Sequence, residues 1–298
     1  MCGIVGLFLK DKTLEPRLGA MLAEMLVSLT DRGPDSAGIA IYGATEPDRG
    51  KITLQSPSPG RDFEGLDAAL AEAIGARVTM EVRDTHALLV LPSARIEEAR
   101  KAIAVLRPQV RVMGAGEAIE IYKEVGIPQT VVDRFGIRDM AGSHGIGHTR
   151  MATESAVTTL GAHPFSTGSD QCLVHNGSLS NHNNIRRQLV RKGIRFETEN
   201  DTEVAAAYLS SRLDDGSDLE EALNGTLTDL DGFFTFIVGT KNGFGVVRDP
   251  IACKPAVMAE TERYVAFGTE YRALSKLPGI EDATIWEPEP ATVYFWEH

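Results

Sequence analysis

The sequence predicts an α+β fold in which two antiparallel sheets are covered by helices, with a small α/β unit set into the chain at about residues 50–114. Three observations predict it. The last third is dense in short apolar strands, two of which flank Asn242-Gly243, a strong hairpin-turn pair. Apolar residues at three- and four-residue steps mark amphipathic helices, the first over residues 16–29 with Leu18, Met21, Leu22, Met25, Leu26 and Leu29 on one face. Residues 50–114 carry a strand–helix–strand–strand–helix–strand pattern of their own. Each sheet and each helix must bury one face, and two sheets with helical cover satisfy that demand.

Taken in chain order, "GIVGLFL" at 3–9 reads as a buried strand, followed by the 16–29 helix. The Gly/Pro/Asp-rich loop "TDRGPDSAG" leads into a strand at 39–43. The 50–114 unit comes next and reads as an insertion or subdomain without a catalytic cluster. A helix over "EAIEIYKEVG" and a linker are expected before the strand 144–150. "QCLVH" forms a strand ending at Asn176-Gly177. Ser180 suits the cap of a helix that runs to about Lys192 and stops at Gly193, and "IRFET" reads as a strand. Asp201 opens a helix, and another covers about 218–229. "GFFTFIVG", "FGVVRD", "AVMAE", "YVAFG", "ATIWE" and "TVYFWE" are the closing strands, with a short helix near 270–276.

Composition excludes several classes. The 298 residues are 43% hydrophobic and 24% charged, ordinary for a globular enzyme that needs no disulfides or structural metal. A formal net charge of −12 argues against nucleic acid, which requires a concentrated basic surface, and against anionic membranes. Three cysteines, Cys2, Cys172 and Cys253, form neither a disulfide framework nor a CxxC pair, which points to a reducing compartment. No apolar run reaches the roughly 18 residues of a membrane span, and the N-terminus lacks a basic leader. A cytoplasmic protein is expected.

Cys2 is the first candidate for chemistry. Removal of Met1 would leave a free α-amine, with an ordinary pKa of about 7.7–8.0, on the same residue as a thiol. Such an amine can take the thiol proton and so generate a nucleophilic thiolate. A buried apolar residue at a strand start is the competing reading. Asn176-Gly177 offers a side-chain amide and a backbone N–H, the donor types that stabilise a tetrahedral oxyanion, though Asn-Gly is also a common turn. Arg150, at a strand end, suits bidentate carboxylate capture or a surface ion pair. Asp201 could hold an ammonium or cap its helix. His144, His148 and His163 fit no common metal spacing and read as structural. Cys172 and Cys253 read as packed thiols.

Together these residues lie in segments that resemble class II glutamine amidotransferase domains of the N-terminal-nucleophile hydrolase type. "MCGIVGLF", "DRGPDSAGIAIY", "GIGHTRMAT", "AHPF", "LVHNGSLSN", "NDTEVAAAYL", "DGFFTFIV", "RDPIACKP" and "VAFGTEYRAL" occur in the family's order, over about 1–43 and 143–277. The resemblance implies a four-layer αββα sandwich over residues 1–298, interrupted at about 50–114. It also implies Cys2 as nucleophile, Asn176 and Gly177 as oxyanion hole, Arg150 for the glutamine α-carboxylate and Asp201 for its α-ammonium. Thr153 would contact glutamine, and Arg32 would order the N-terminal cysteine. Met151 and Glu154 depart from the Trp and His of some members, and leave open a catalytically silent, amino-acid-binding regulatory subunit.

Within the family the chain is most similar to stand-alone subunits related to the N-terminal domain of glutamate synthase, such as the A subunit of N-methylglutamate synthase. That implies glutamine or a γ-glutamyl amide as substrate and glutamate-synthase-like partner subunits. No cofactor or metal is expected in this chain; FMN and an iron–sulfur cluster would belong to a partner. With no length left for a synthase domain, a hetero-oligomer is expected.

Overall fold

The computed structural model describes residues 2–152 and 156–298. The first half of the chain runs β1 (Gly3–Leu9), α1 (Leu18–Val27), β2 (Ser36–Tyr42), β3 (Arg49–Gln55), α2 (Pro59–Asp62), α3 (Leu66–Ile74), β4 (Thr79–Arg83) and β5 (His86–Pro92). It continues with α4 (Ile96–Leu106), β6 (Arg111–Gly116), β7 (Ile119–Val125), α5 (Pro128–Phe135) and β8 (His144–Arg150). The second half is β9 (Cys172–Leu179), α6 (His182–Arg191), α7 (Asp201–Asp214), α8 (Leu219–Asp229), β10 (Gly232–Gly239) and β11 (Gly243–Arg248). The chain closes with β12 (Val257–Glu260), β13 (Tyr264–Gly268), β14 (Thr284–Trp286) and β15 (Thr292–Glu297).

Two antiparallel sheets make the body. The seven-stranded sheet has the order β14-β12-β13-β1-β8-β2-β7 and the four-stranded one β15-β11-β10-β9. Strand alternation decides which side chain enters which layer. In β1, Ile4 and Phe8 enter the space between the sheets with Ile146, Val174, Ile237 and Phe244. Val5, Leu7 and Leu9 turn the other way, onto Leu22, Leu26 and Phe135 of α1 and α5. On the far side, Phe234, Phe236 and Val247 pack against Val204, Leu209 and Leu223 of α7 and α8. The result is a four-layer αββα sandwich, as the family resemblance implies.

A third sheet, β4-β5-β3-β6, lies within residues 49–116. Its βαββαβ order and antiparallel pairing are those of a split βαβ unit. Ile52, Leu54, Leu89 and Leu91 face Leu66, Leu70 and Ile103 of α3 and α4 in a separate apolar core. The unit leaves the body between two strands that are direct neighbours, since Tyr42 pairs with Ile119 across β2 and β7.

Several sequence expectations fail, each for a local reason. "EAIEIYKEVG" is strand β7, not a helix. Its β-branched Ile119 and Ile121, both fully buried, flank Glu120, whose side chain is 14% exposed and pairs with Lys51, a strand period of two where the sequence predicts a helix. The expected linker after it holds helix α5. "IRFET" forms no strand. Residues 16–29 are helical only from Leu18, after a 3-10 segment over Lys12–Arg17 that contains Pro16. The helix near 270–276 is a single 3-10 turn, Tyr271–Ala273. Asn181, not Ser180, precedes α6, and no side chain caps it. Cys172 is buried, whereas Cys253 is exposed rather than packed.

Candidate active site

Register brings the site together. Gly3 pairs with Thr149 across β1 and β8, and Ser36 pairs with Arg150 across β2 and β8. Cys2 and Arg150 therefore sit at one end of the same sheet. The loop after α1 closes on them because Gly33 has no side chain: a Cβ there would stand 2.5 Å from the Arg150 carbonyl carbon. That approach lets Arg32 Nε donate to the Cys2 carbonyl at 3.2 Å. Arg32 also pairs with Glu270, a carboxylate that sequence reasoning did not assign. Asp35 is a second such residue. Its N–H donates to the Arg150 carbonyl at 3.0 Å and its Oδ2 accepts from Ala152 N at 2.8 Å, which pins the chain beyond β8. Both acids lie inside quoted motifs, but nothing in residue type distinguishes a pinning carboxylate from a solvated one.

Asn176 and Gly177 lie inside β9, opposite Thr235 and Phe234, rather than on a turn. Gly177 has φ +155°, and a Cβ would meet the Phe233 carbonyl oxygen at 2.0 Å; only glycine fits there. Asn176 Nδ2 donates to the Cys2 carbonyl at 3.3 Å. An amide nitrogen carries two protons, so a second N–H remains for a developing oxyanion. The Cys2 thiol is half-buried, with Sγ 4.0 Å from the Met151 carbonyl oxygen. Arg150 is buried rather than on the surface, and its Nη1 donates to the Ala156 carbonyl at 3.3 Å. Met151 is 38% exposed. Thr153 and Glu154 lie outside the described residues.

Asp201 is not the cap of α7. Asn200 takes that role, accepting from Thr202 N at 2.9 Å. This frees the Asp201 carboxylate, whose Oδ2 accepts from Leu179 N at 2.9 Å and whose Oδ1 lies 3.7 Å from His175 Nδ1. Burial would raise this carboxyl, but His175 and the Leu179 N–H outweigh it and hold the group at about 2. An ionised, partly accessible carboxylate is what an ammonium ligand needs. Burial pushes His148 down to about 3. Burial, then the neighbouring His148 and His175, hold His163 well below its ordinary value. Both rings are neutral at pH 7. Among the described residues no group of three His, Cys, Asp or Glu side chains is placed to hold a metal ion.

A cavity of about 500 Å³ lies at the other end of β2, lined by Ile41, Glu81, Arg83, Glu120 and Arg134. Its charges pair with protein groups, Arg83 with Glu81 and Arg134 with Asp84, both at 2.8 Å, and it holds none of the residues around Cys2.

Comparison with known proteins decides the family. A glutamine amidotransferase domain model matches residues 148–276. The glutamine amidotransferase-like protein GlxB of Rhizobium meliloti is 68% identical over 298 residues, covering 100% of this chain and 99% of its own. The chain belongs to the glutamine amidotransferase family. A relative from Methanothermobacter thermautotrophicus is 35% identical, with 99% of each chain covered. Among solved structures, this amidotransferase is similar to an allosteric regulatory enzyme of purine biosynthesis, with a TM-score of 0.65 at 19% identity over 99% of this chain. A Bacillus subtilis glutamine phosphoribosylpyrophosphate amidotransferase superposes with a TM-score of 0.63 at 18% identity, again over 99% of this chain. The chain spans 47% of the length of each of those two structures. These likenesses show that the chain shares its fold with those two structures. No helix among the described residues is long and apolar enough to cross a membrane.

Proposed function

We propose that this amidotransferase hydrolyses the side-chain amide of glutamine, or of a related γ-glutamyl amide, through a thioester on Cys2. One observation carries the reading: the Cys2 carbonyl is gripped by Arg32 and Asn176 at the sheet end that bears Arg150. After loss of Met1, the α-amine takes the thiol proton and the thiolate attacks the amide carbon. Asn176 and Gly177 receive the oxyanion. The amine returns its proton to departing ammonia, and water then releases glutamate from the thioester. Arg150 and Asp201 would bind the α-carboxylate and α-ammonium, with Thr153 as a further contact.

Ammonia set free in water is lost to any acceptor, so the reading extends to a hetero-oligomer with a glutamate-synthase-like partner, of which an N-methylglutamate synthase complex is one form. FMN and iron–sulfur chemistry would reside on that partner. N-terminal sequencing combined with labelling by a glutamine-like electrophile tests the core of the reading. Expected are loss of Met1, a single adduct on Cys2, and glutamate released from glutamine. Retained Met1 with no Cys2 adduct would instead favour a silent amino-acid-binding subunit.

A further inference from the structure

We infer that Thr202 is a positioning residue for the Asp201 carboxylate, the hub of a buried histidine relay that ties Asp201 to the strand carrying Arg150. This rests on the glutaminase reading of the site. Thr202 Oγ1 lies 2.7 Å from His163 Nε2, 3.0 Å from His175 Nδ1 and 3.4 Å from Asp201 Oδ1. The His163 ring stacks on His148 at 3.9 Å. His148 Nε2 in turn lies 3.1 Å from the His175 carbonyl oxygen. Thr202 and the three rings are each at most 5% exposed.

Proton placement follows from satisfiability. A carbonyl only accepts, so His148 must carry its proton on Nε2. The remaining ring nitrogens, His148 Nδ1, His163 Nδ1 and His175 Nε2, are buried without a partner among the described residues. A buried N–H without an acceptor is rarer than a bare acceptor. The protons therefore sit where the bonds are, on His163 Nε2 and His175 Nδ1, and both donate to Thr202. A hydroxyl has two acceptor sites and one proton. With both sites filled, the Thr202 proton is left for Asp201 Oδ1. The hydroxyl thus relays two ring N–H dipoles onto one carboxylate oxygen, while Leu179 N holds the other. Through His148 the same relay spans from α7 to β8, two residues before Arg150, and so sets the spacing of the two groups that would grip a zwitterion.

Thr202→Val removes the hydroxyl and keeps the shape; Thr202→Ser keeps the hydroxyl. The expected result is a roughly tenfold rise in KM for glutamine in T202V with kcat within about twofold, and a near-normal KM in T202S. Nitrogen-15 shifts of the histidine rings should show one tautomer each in the parent, with His163 and His175 altered in T202V and His148 unaltered. A normally melting T202V with unchanged KM, or a T202S as impaired as T202V, overturns the assignment. A parent that neither hydrolyses glutamine nor takes a label on Cys2 refutes the proposed function instead. The tautomer measurement then still decides the relay, because mixed tautomers in the parent would sink it.

Discussion

Between Arg49 and Gly116 the chain folds around an apolar core that includes Ile52, Leu54, Leu66, Leu70, Leu89 and Leu91, with the buried polar side chains Thr53, Gln55, Ser56, Asp62 and His86 beside it. Around Cys2 the buried positions include Arg150, Asn176, His148, His163, His175 and Thr202. Burying polar groups costs free energy unless each finds a partner, and here the hydrogen bonds cross between two sheets and a helix. The four-stranded unit is therefore built for stability from local patterns, whereas the site is built from long-range contacts whose components contribute little to packing. The two regions should respond to mutation in opposite ways.

Cys2→Ala removes the nucleophile, and glutaminase turnover should fall by on the order of 10⁴-fold or more with an unchanged thermal midpoint. Full turnover in C2A would erase the functional half of the contrast. Asn176→Ala should lower kcat about 100- to 1,000-fold, read by steady-state kinetics, with Cys2 still open to labelling. Leu89→Ala, in the core of the four-stranded unit, should show the reverse pattern. It should cost about 2–5 kcal/mol of unfolding free energy by denaturant titration, while kcat/KM at 25 °C stays within about twofold.

Acid sharpens the comparison further, because both regions hold buried histidines. Burial pushes His86 of the unit and His144 and His148 of the body down to about 3, against 6.5 unfolded. Between those values the unfolded chain binds protons that the folded chain refuses. Stability is thus fully present above pH 6.5 and falls as pH drops toward 3, by up to about 1.4 kcal/mol per pH unit for each histidine. Urea midpoints at pH 7, 5.5 and 4.5 should decline in that order, and a flat profile would contradict the neutral buried rings. The smallest expected effect belongs to a deletion. Because Tyr42 and Ile119 pair directly, replacing residues 43–118 by an Asn-Gly turn should leave Cys2 labelling intact, although midpoint stability drops as His86 leaves Phe135.

How legible each part was follows from the same contrast. The strand–helix–strand–strand–helix–strand order of the four-stranded unit could be read directly, since its apolar period is local. β7 departs from the helix that the sequence predicts because Ile119, Glu120 and Ile121 alternate over only three residues before Tyr122 breaks the period, too short a run to separate the two periods. Of the site, Cys2, Arg150, Asn176, Gly177 and Asp201 could be named from residue type and motif. Asp201 as a freed carboxylate could not, because only Asn200 in the cap position releases it. Arg32 was named, but Glu270 and Asp35, which hold it and the strand end, were not. Their partners lie 238 and 117 positions away in sequence, and no short-range pattern encodes such pairs.

By itself the sequence determined the layers and the cast: alternation and helical period dictate which faces are apolar, and a few residue types at a strand end define the available chemistry. The tertiary structure alone decided which polar groups meet. Strand register set Cys2 beside Arg150, glycine let the Arg32 loop close, and Thr202 drew two histidines toward Asp201. Hydrophobic burial depends on pattern and tolerates approximation, whereas a buried hydrogen bond depends on distance and direction that no linear spacing contains.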